Sequence, residues 1–103
     1  MLNSGDVSLV EPKPHILVVD DEAQLRRLLA EYLSDEGYSV ETAPDGLHAV
    51  EALAARNFEL VLSDVRMPGL DGLGLLAQIS RGHPDVGVLI LTACEDCRWP
   101  WVL

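Results

Sequence analysis

Positive charge is scarce in this chain: seven Lys and Arg stand against seventeen Asp and Glu, a formal net charge of −10. Direct nucleic-acid binding depends on basic groups that neutralise phosphates, so this balance argues against it. No apolar run is long enough to span a bilayer and no signal-peptide pattern opens the chain, which points to a cytoplasmic protein with no membrane partner. Cysteine is nearly absent. Cys94 and Cys97 form a single C-x-x-C with no second pair to complete a zinc site and no strand-to-helix context of the redox kind, so they read as two incidental, reduced thiols. With 103 residues there is room for one domain, and 49% hydrophobic residues suffice to bury a core.

What the chain does have is built around Phe58 to Gly72, "FELVLSDVRMPGLDG". An apolar run ends in Asp64 and meets Met67-Pro68-Gly69, the pattern of a buried strand that stops at a loop. In an open α/β sheet the carboxyl ends of strands are where ligands bind, which places Asp64 for chemistry.

Taken in order, residues 1–14 lack periodicity and carry Gly5, Pro12 and Pro14, the composition of a flexible leader. "HILVVDDE" from His15 is a buried parallel strand ending in Asp20, Asp21 and Glu22. A helix follows with Leu25, Leu28, Leu29, Tyr32 and Leu33 on one stripe, capped at its start by Asp21 or Glu22 and stopped by Gly37. "YSVETA" is a short strand, and Pro44-Asp45-Gly46 opens a second helix with Ala49, Val50, Leu53 and Ala54 inward and Asn57 at its end. Asp71 caps a third helix whose stripe is Leu73, Leu76 and Ala77, with Leu75 and Ile79 beside it; Gly72 and Gly74 weaken its first turn. "VGVLILTA" is a fourth strand. Such alternation implies a doubly wound parallel sheet with right-handed crossovers.

The strand ends bring Asp20 and Asp21, Asp64 and Thr92 to one sheet edge. Carboxylates crowded there repel one another unless a cation joins them, and a hard ion with oxygen ligands, Mg2+ above all, fits such a site. A phosphatase of the haloacid dehalogenase type also uses a strand-end aspartate with Mg2+, but it wants a second acid two residues later, where Arg66 stands.

"ILVVDDE", "DVRMPGLDG" and "LILTA", at these separations, closely resemble the receiver domain of bacterial two-component response regulators. The resemblance covers Ile16 to Ala93 and implies a flavodoxin-like (CheY-like) fold. It implies that Asp64 is the phosphoacceptor, that Asp21 binds Mg2+ directly and Asp20 through water, that the Arg66 backbone carbonyl is a further ligand, and that Thr92 is the switch hydroxyl. The implied function is phosphorelay signal transduction, with a sensor histidine kinase as phosphodonor, and the chain is not expected to be an enzyme.

The family's fifth strand ends in a lysine and carries an aromatic switch residue; neither is here, and "ACEDCRWPWVL" follows Thr92. The expected division is therefore a leader at 1–14, a C-terminally truncated receiver at 15–93 and an atypical tail at 94–103. About four of five strands and three of five helices are accounted for. The alternative function is a non-signalling fragment or a kinase-binding decoy. With the fourth strand as an apolar edge and one face of the first and third strands open, the chain is expected to be poorly stable or to self-associate through that edge. Read from the third base of the Cys94 codon, the tail can encode a run such as Arg-Gly-Leu-Pro-Leu-Ala-Val-Gly. That run resembles the start of the family's fourth helix, so a change of reading frame is the expected origin of the tail.

Overall fold

The computed structural model describes residues 13–67 and 69–91. β1 (His15–Val19), α1 (Ala23–Asp35), β2 (Ser39–Ala43), α2 (Gly46–Ala55), β3 (Leu60–Asp64), α3 (Gly72–Gly82) and β4 (Gly87–Leu91) alternate as the apolar pattern requires. All pairings are parallel and the strand order is β2-β1-β3-β4. The connection that leaves β1 thus runs to β2 on one side, whereas the one that leaves β3 runs to β4 on the other. This reversal opens a crevice at the carboxyl ends of β1 and β3, where Val19 is in register with Ser63.

Alternation along each strand divides the core in two. Leu17, Val19 and Val61 face α2 and α3, where they pack with Ala49, Leu53, Leu75 and Ile79. Ile16, Val18 and Leu62 face the other way, against Leu29 and Leu33 of α1. Each large side chain buried in this way contributes about 1.5–3 kcal/mol.

Three differences from the sequence reading have packing reasons. The α1 stripe is wider than its contact: Leu29 and Leu33 seat on the sheet, whereas Leu28 and Tyr32 are each 63% exposed, because the helix lies mainly over β1 and β2. In α3 the inward face is Gly72, Leu75 and Ile79, and Leu73 is 59% exposed. Gly72 decides between the two candidate stripes, since a Cβ there would collide with the Asp64 carbonyl and come within 2.9 Å of Val65 Cα, so only glycine lets this turn reach β3. Third, the α1-side face of β1 and β3 is not open, for Ile16, Val18 and Leu62 are all buried. At β4, an edge of the sheet among the described residues, Leu89 is 52% exposed.

Helix ends follow local chemistry. Gly37, with φ +100°, closes α1 in a Schellman arrangement, the Tyr38 N–H bonding to Leu33 O and the Gly37 N–H to Ser34 O. Glu22 occupies the N-cap position of α1 but makes no side-chain cap bond. α2 ends at Ala55 with Arg56, not Asn57, as its C-cap, and Ala54 is exposed.

Asp45 caps α2, its Oδ1 accepting from the His48 N–H at 2.9 Å and facing His48 Nδ1 at 2.7 Å. These bonds hold the Asp45 carboxyl below its ordinary 3.8 and, with the carboxylate's charge, the His48 imidazole above 6.5. Asp45's contribution is present above pH 3.8 and lost as the pH falls through its lowered folded value. That of His48 is complete below pH 6.5 and fades as the pH rises through its raised one. Thermal denaturation of wild type and Asp45→Asn across pH should therefore differ most between these two values, differ less above the raised His48 value, where only the Asp45 part remains, and converge below the lowered Asp45 value. A difference independent of pH would count against the pair.

Candidate functional site

Asp20, Asp21 and Asp64 converge at the crevice, each offering a carboxylate oxygen within 4.8 Å of the others. Backbone bonding puts them there. The Asp20 N–H continues the β1–β2 ladder by bonding to Ala43 O at 3.1 Å, and the Val65 N–H carries the β3–β4 ladder one step beyond Asp64 by bonding to Leu91 O at 3.1 Å. Both acids are thus held at the rims of paired strands, whereas Asp21 sits exposed in the turn into α1.

Asp20 is 2% exposed. Its Oδ1 accepts from the Glu22 N–H at 2.8 Å, the sole hydrogen bond to this carboxylate among the described residues. Burial pushes its carboxyl above the ordinary value; the charges of Asp64, Asp21 and Glu22 push the same way, against the Glu22 hydrogen bond. A buried, incompletely partnered carboxylate with two others in reach is a set of hard oxygen donors whose charge a divalent ion would offset. The donor chemistry therefore fits Mg2+.

Sequence reasoning did not single out three further residues. Arg26 Nη1 donates to the Asp20 carbonyl at 2.7 Å, tying the first turn of α1 to the end of β1. Ser63 is fully buried and donates to the Asp64 carbonyl at 3.0 Å. Met67 is buried in the α2–α3 core and anchors the loop after Asp64. An arginine six positions after an aspartate has no recognisable spacing signal, while the alternation in "LVLSD" does put Ser63 on the inner face.

Arg66 is exposed, with its N–H 3.4 Å from Asp64 Oδ1, so its backbone, not its side chain, lies beside the acid. Asp71 caps α3 by accepting from the Gly74 N–H at 2.8 Å. Thr92, Pro68, the leader to residue 12 and the tail with Cys94 and Cys97 lie outside the described residues. Among the described residues no helix is long and apolar enough to cross a membrane.

A sequence model of the response regulator receiver domain matches residues 16–99. The DNA-binding transcriptional regulator NtrC of Escherichia coli (strain K12) is 43% identical over 81 residues, which cover 79% of this chain and 17% of that protein. The transcriptional regulatory protein TcrA of Mycobacterium tuberculosis is 44% identical over 78 residues, 76% of this chain and 31% of TcrA. The chain thus spans less than a third of the length of either regulator. Among solved structures, the response regulator TrrA of Thermotoga maritima in complex with Mg2+–BeF superposes with a TM-score of 0.76 at 40% identity, covering 80% of this chain and 71% of that one. The signal receiver domain of an HD domain-containing protein from Pseudomonas fluorescens Pf-5 gives 0.78 at 34% identity, covering 82% and 68%.

Proposed function

The chain belongs to the response regulator receiver domain family of two-component signalling, and from that premise we propose that it accepts a phosphoryl group on Asp64 with Mg2+ held at the acid crevice. The observation that carries this reading is the convergence of Asp20, Asp21 and Asp64 at the carboxyl ends of β1 and β3, with Asp20 buried and short of partners. A solved relative binding Mg2+–BeF supports the same choice of ion.

An oxygen of the Asp64 carboxylate attacks phosphorus in line. The new O–P bond forms as the bond from phosphorus to the donor breaks, the N–P bond of a phosphohistidine when the donor is a sensor histidine kinase. Asp21, Asp64 and the Arg66 carbonyl would hold the ion, with Asp20 acting through water. Mg2+ supplies positive charge that offsets both the anionic nucleophile and the anionic phosphoryl group. Of the chain's own residues, Arg26 and Ser63 fix the backbone carbonyls of Asp20 and Asp64, and Met67 anchors the loop. Thr92 would supply the switch hydroxyl. On this reading the chain is the recipient in a transfer and not an enzyme with its own turnover.

Incubation with a small-molecule acyl phosphate and Mg2+, read by intact mass, is expected to give one hydroxylamine-labile phosphoryl group per chain. Chelation of the metal should cut the rate by about a hundredfold or more, the scale on which a site loses a preorganised electrostatic group. Equal incorporation with and without chelator would exclude a metal role.

A further inference from the structure

Between Val65 and Asp71 the loop that carries the acid site runs along the first turns of two helices, and one of its residues touches both. Gly46, the first residue of α2, is buried; a Cβ there would overlap the Leu70 carbonyl oxygen and lie 2.8 Å from Leu70 Cβ. Gly74, in the first turn of α3, leaves a second gap, where a Cβ would come within 2.7 Å of Leu70 Cδ1. Leu70 thus occupies the space that two missing side chains leave, its backbone against α2 and the end of its side chain against α3. Glycine within a helix costs roughly 0.5–1 kcal/mol relative to alanine, so close packing at these positions offsets a real penalty.

We propose that Leu70 is a positioning residue for the acid crevice: wedged between Gly46 and Gly74, it sets the path of the loop and hence the place of Asp64 and the Arg66 backbone relative to Asp20 and Asp21. The mechanical connection is short. Asp71 follows Leu70 and caps α3, and the Gly72 N–H closes the loop on Val65 O at 3.1 Å, next to Asp64. On the α2 side, Asp45 next to Gly46 caps the helix by accepting from the His48 N–H, so the wedge pushes against a secured turn. Because binding and loop placement are linked reciprocally, a cation that needs Asp64 and Arg66 in register also tightens Leu70 between the two helices. The inference rests on the reading that the crevice takes up Mg2+.

The test measures Mg2+ affinity by calorimetry on the full chain for wild type, Leu70→Ala, Leu70→Met and Val50→Ala. Val50 packs on the same core but lines a cavity with Gln78, Ile79 and His83 toward the far end of α3. Leu70→Ala is expected to weaken binding about tenfold, the low end of what loss of an outer supporting contact does to a metal site. Leu70→Met should restore it, and Val50→Ala should lower the melting temperature while binding as wild type does. Should Leu70→Ala not fold, hydrogen exchange of the wild-type Gly72 and Gly74 amides takes its place: slowing by Mg2+ supports the wedge, and unchanged exchange overturns it. Wild-type binding retained by a folded Leu70→Ala overturns the inference alone, as does weakening by Val50→Ala equal to that by Leu70→Ala. A wild-type chain that takes up no Mg2+ overturns the reading of the crevice and the inference with it.

Discussion

Asp64→Asn is expected to abolish phosphoryl incorporation from an acyl phosphate, not merely slow it, because the amide oxygen carries no negative charge with which to attack phosphorus. The substitution is close to isosteric. Asp64 is half-buried at the end of β3, and the nearest donor to its Oδ1 is the Arg66 N–H at 3.4 Å, which an amide oxygen accepts equally well. The strand and the 65–71 loop should therefore keep their places, and circular dichroism should match wild type. Removing one of three neighbouring negative charges should leave metal-free stability unchanged or raised, while Mg2+ affinity falls with the lost ligand. The measurement is intact mass before and after incubation with donor and Mg2+. Incorporation at the wild-type level would move the acceptor to Asp20 or Asp21 and end the assignment.

That Asp64 could be singled out before any coordinates reflects what strands and turns write into a sequence. A run such as "HILVV" or "LVLSD" must be buried on both sides of a parallel sheet, and the acid that ends it must sit at a rim. Once the strand order reverses at β1, the rims of β1 and β3 are neighbours, so the meeting of Asp20, Asp21 and Asp64 follows from topology. Which face of a helix turns inward is written less plainly. In α3 the apolar residues fill two adjacent stripes, and the choice falls to Gly72, whose contribution is an absent side chain and so carries no hydrophobic signal. The same holds for Gly46, which reads as a helix opener beside Pro44 and Asp45, while its close approach to Leu70 is a contact between residues twenty-four positions apart. In α1 the stripe is legible, but what it packs against depends on where the helix axis lies over the sheet, and periodicity does not specify that.

Asp20→Asn is expected to make the metal-free chain more stable and the metal-bound chain less so. Asp20 is buried, its carboxylate has one hydrogen bond from the Glu22 N–H among the described residues, and three neighbouring acids add repulsion. Burial raises its carboxyl above the ordinary 3.8, so without metal its ionisation works against folding. With the folded value above the unfolded one, the penalty is absent well below pH 3.8, grows as the pH rises past it, and is complete above the raised folded value. Asparagine keeps an oxygen for the Glu22 N–H and removes the charge. The gain near neutral pH should be roughly 1–3 kcal/mol, the usual cost of an ill-satisfied buried polar group, or about 4–8 °C in melting temperature per kcal/mol for a domain of this size. Mg2+ reverses the order. At a hundred times its dissociation constant a ligand stabilises the folded state by about 2.7 kcal/mol, and the variant, with one fewer charge at the crevice, gains less at the same concentration. Melting curves of both proteins at neutral pH, with chelator and then with rising Mg2+, should cross. Wild type melting above Asp20→Asn in chelator would show that the buried carboxylate is satisfied without a metal and that the crevice holds no stored repulsion for an ion to relieve.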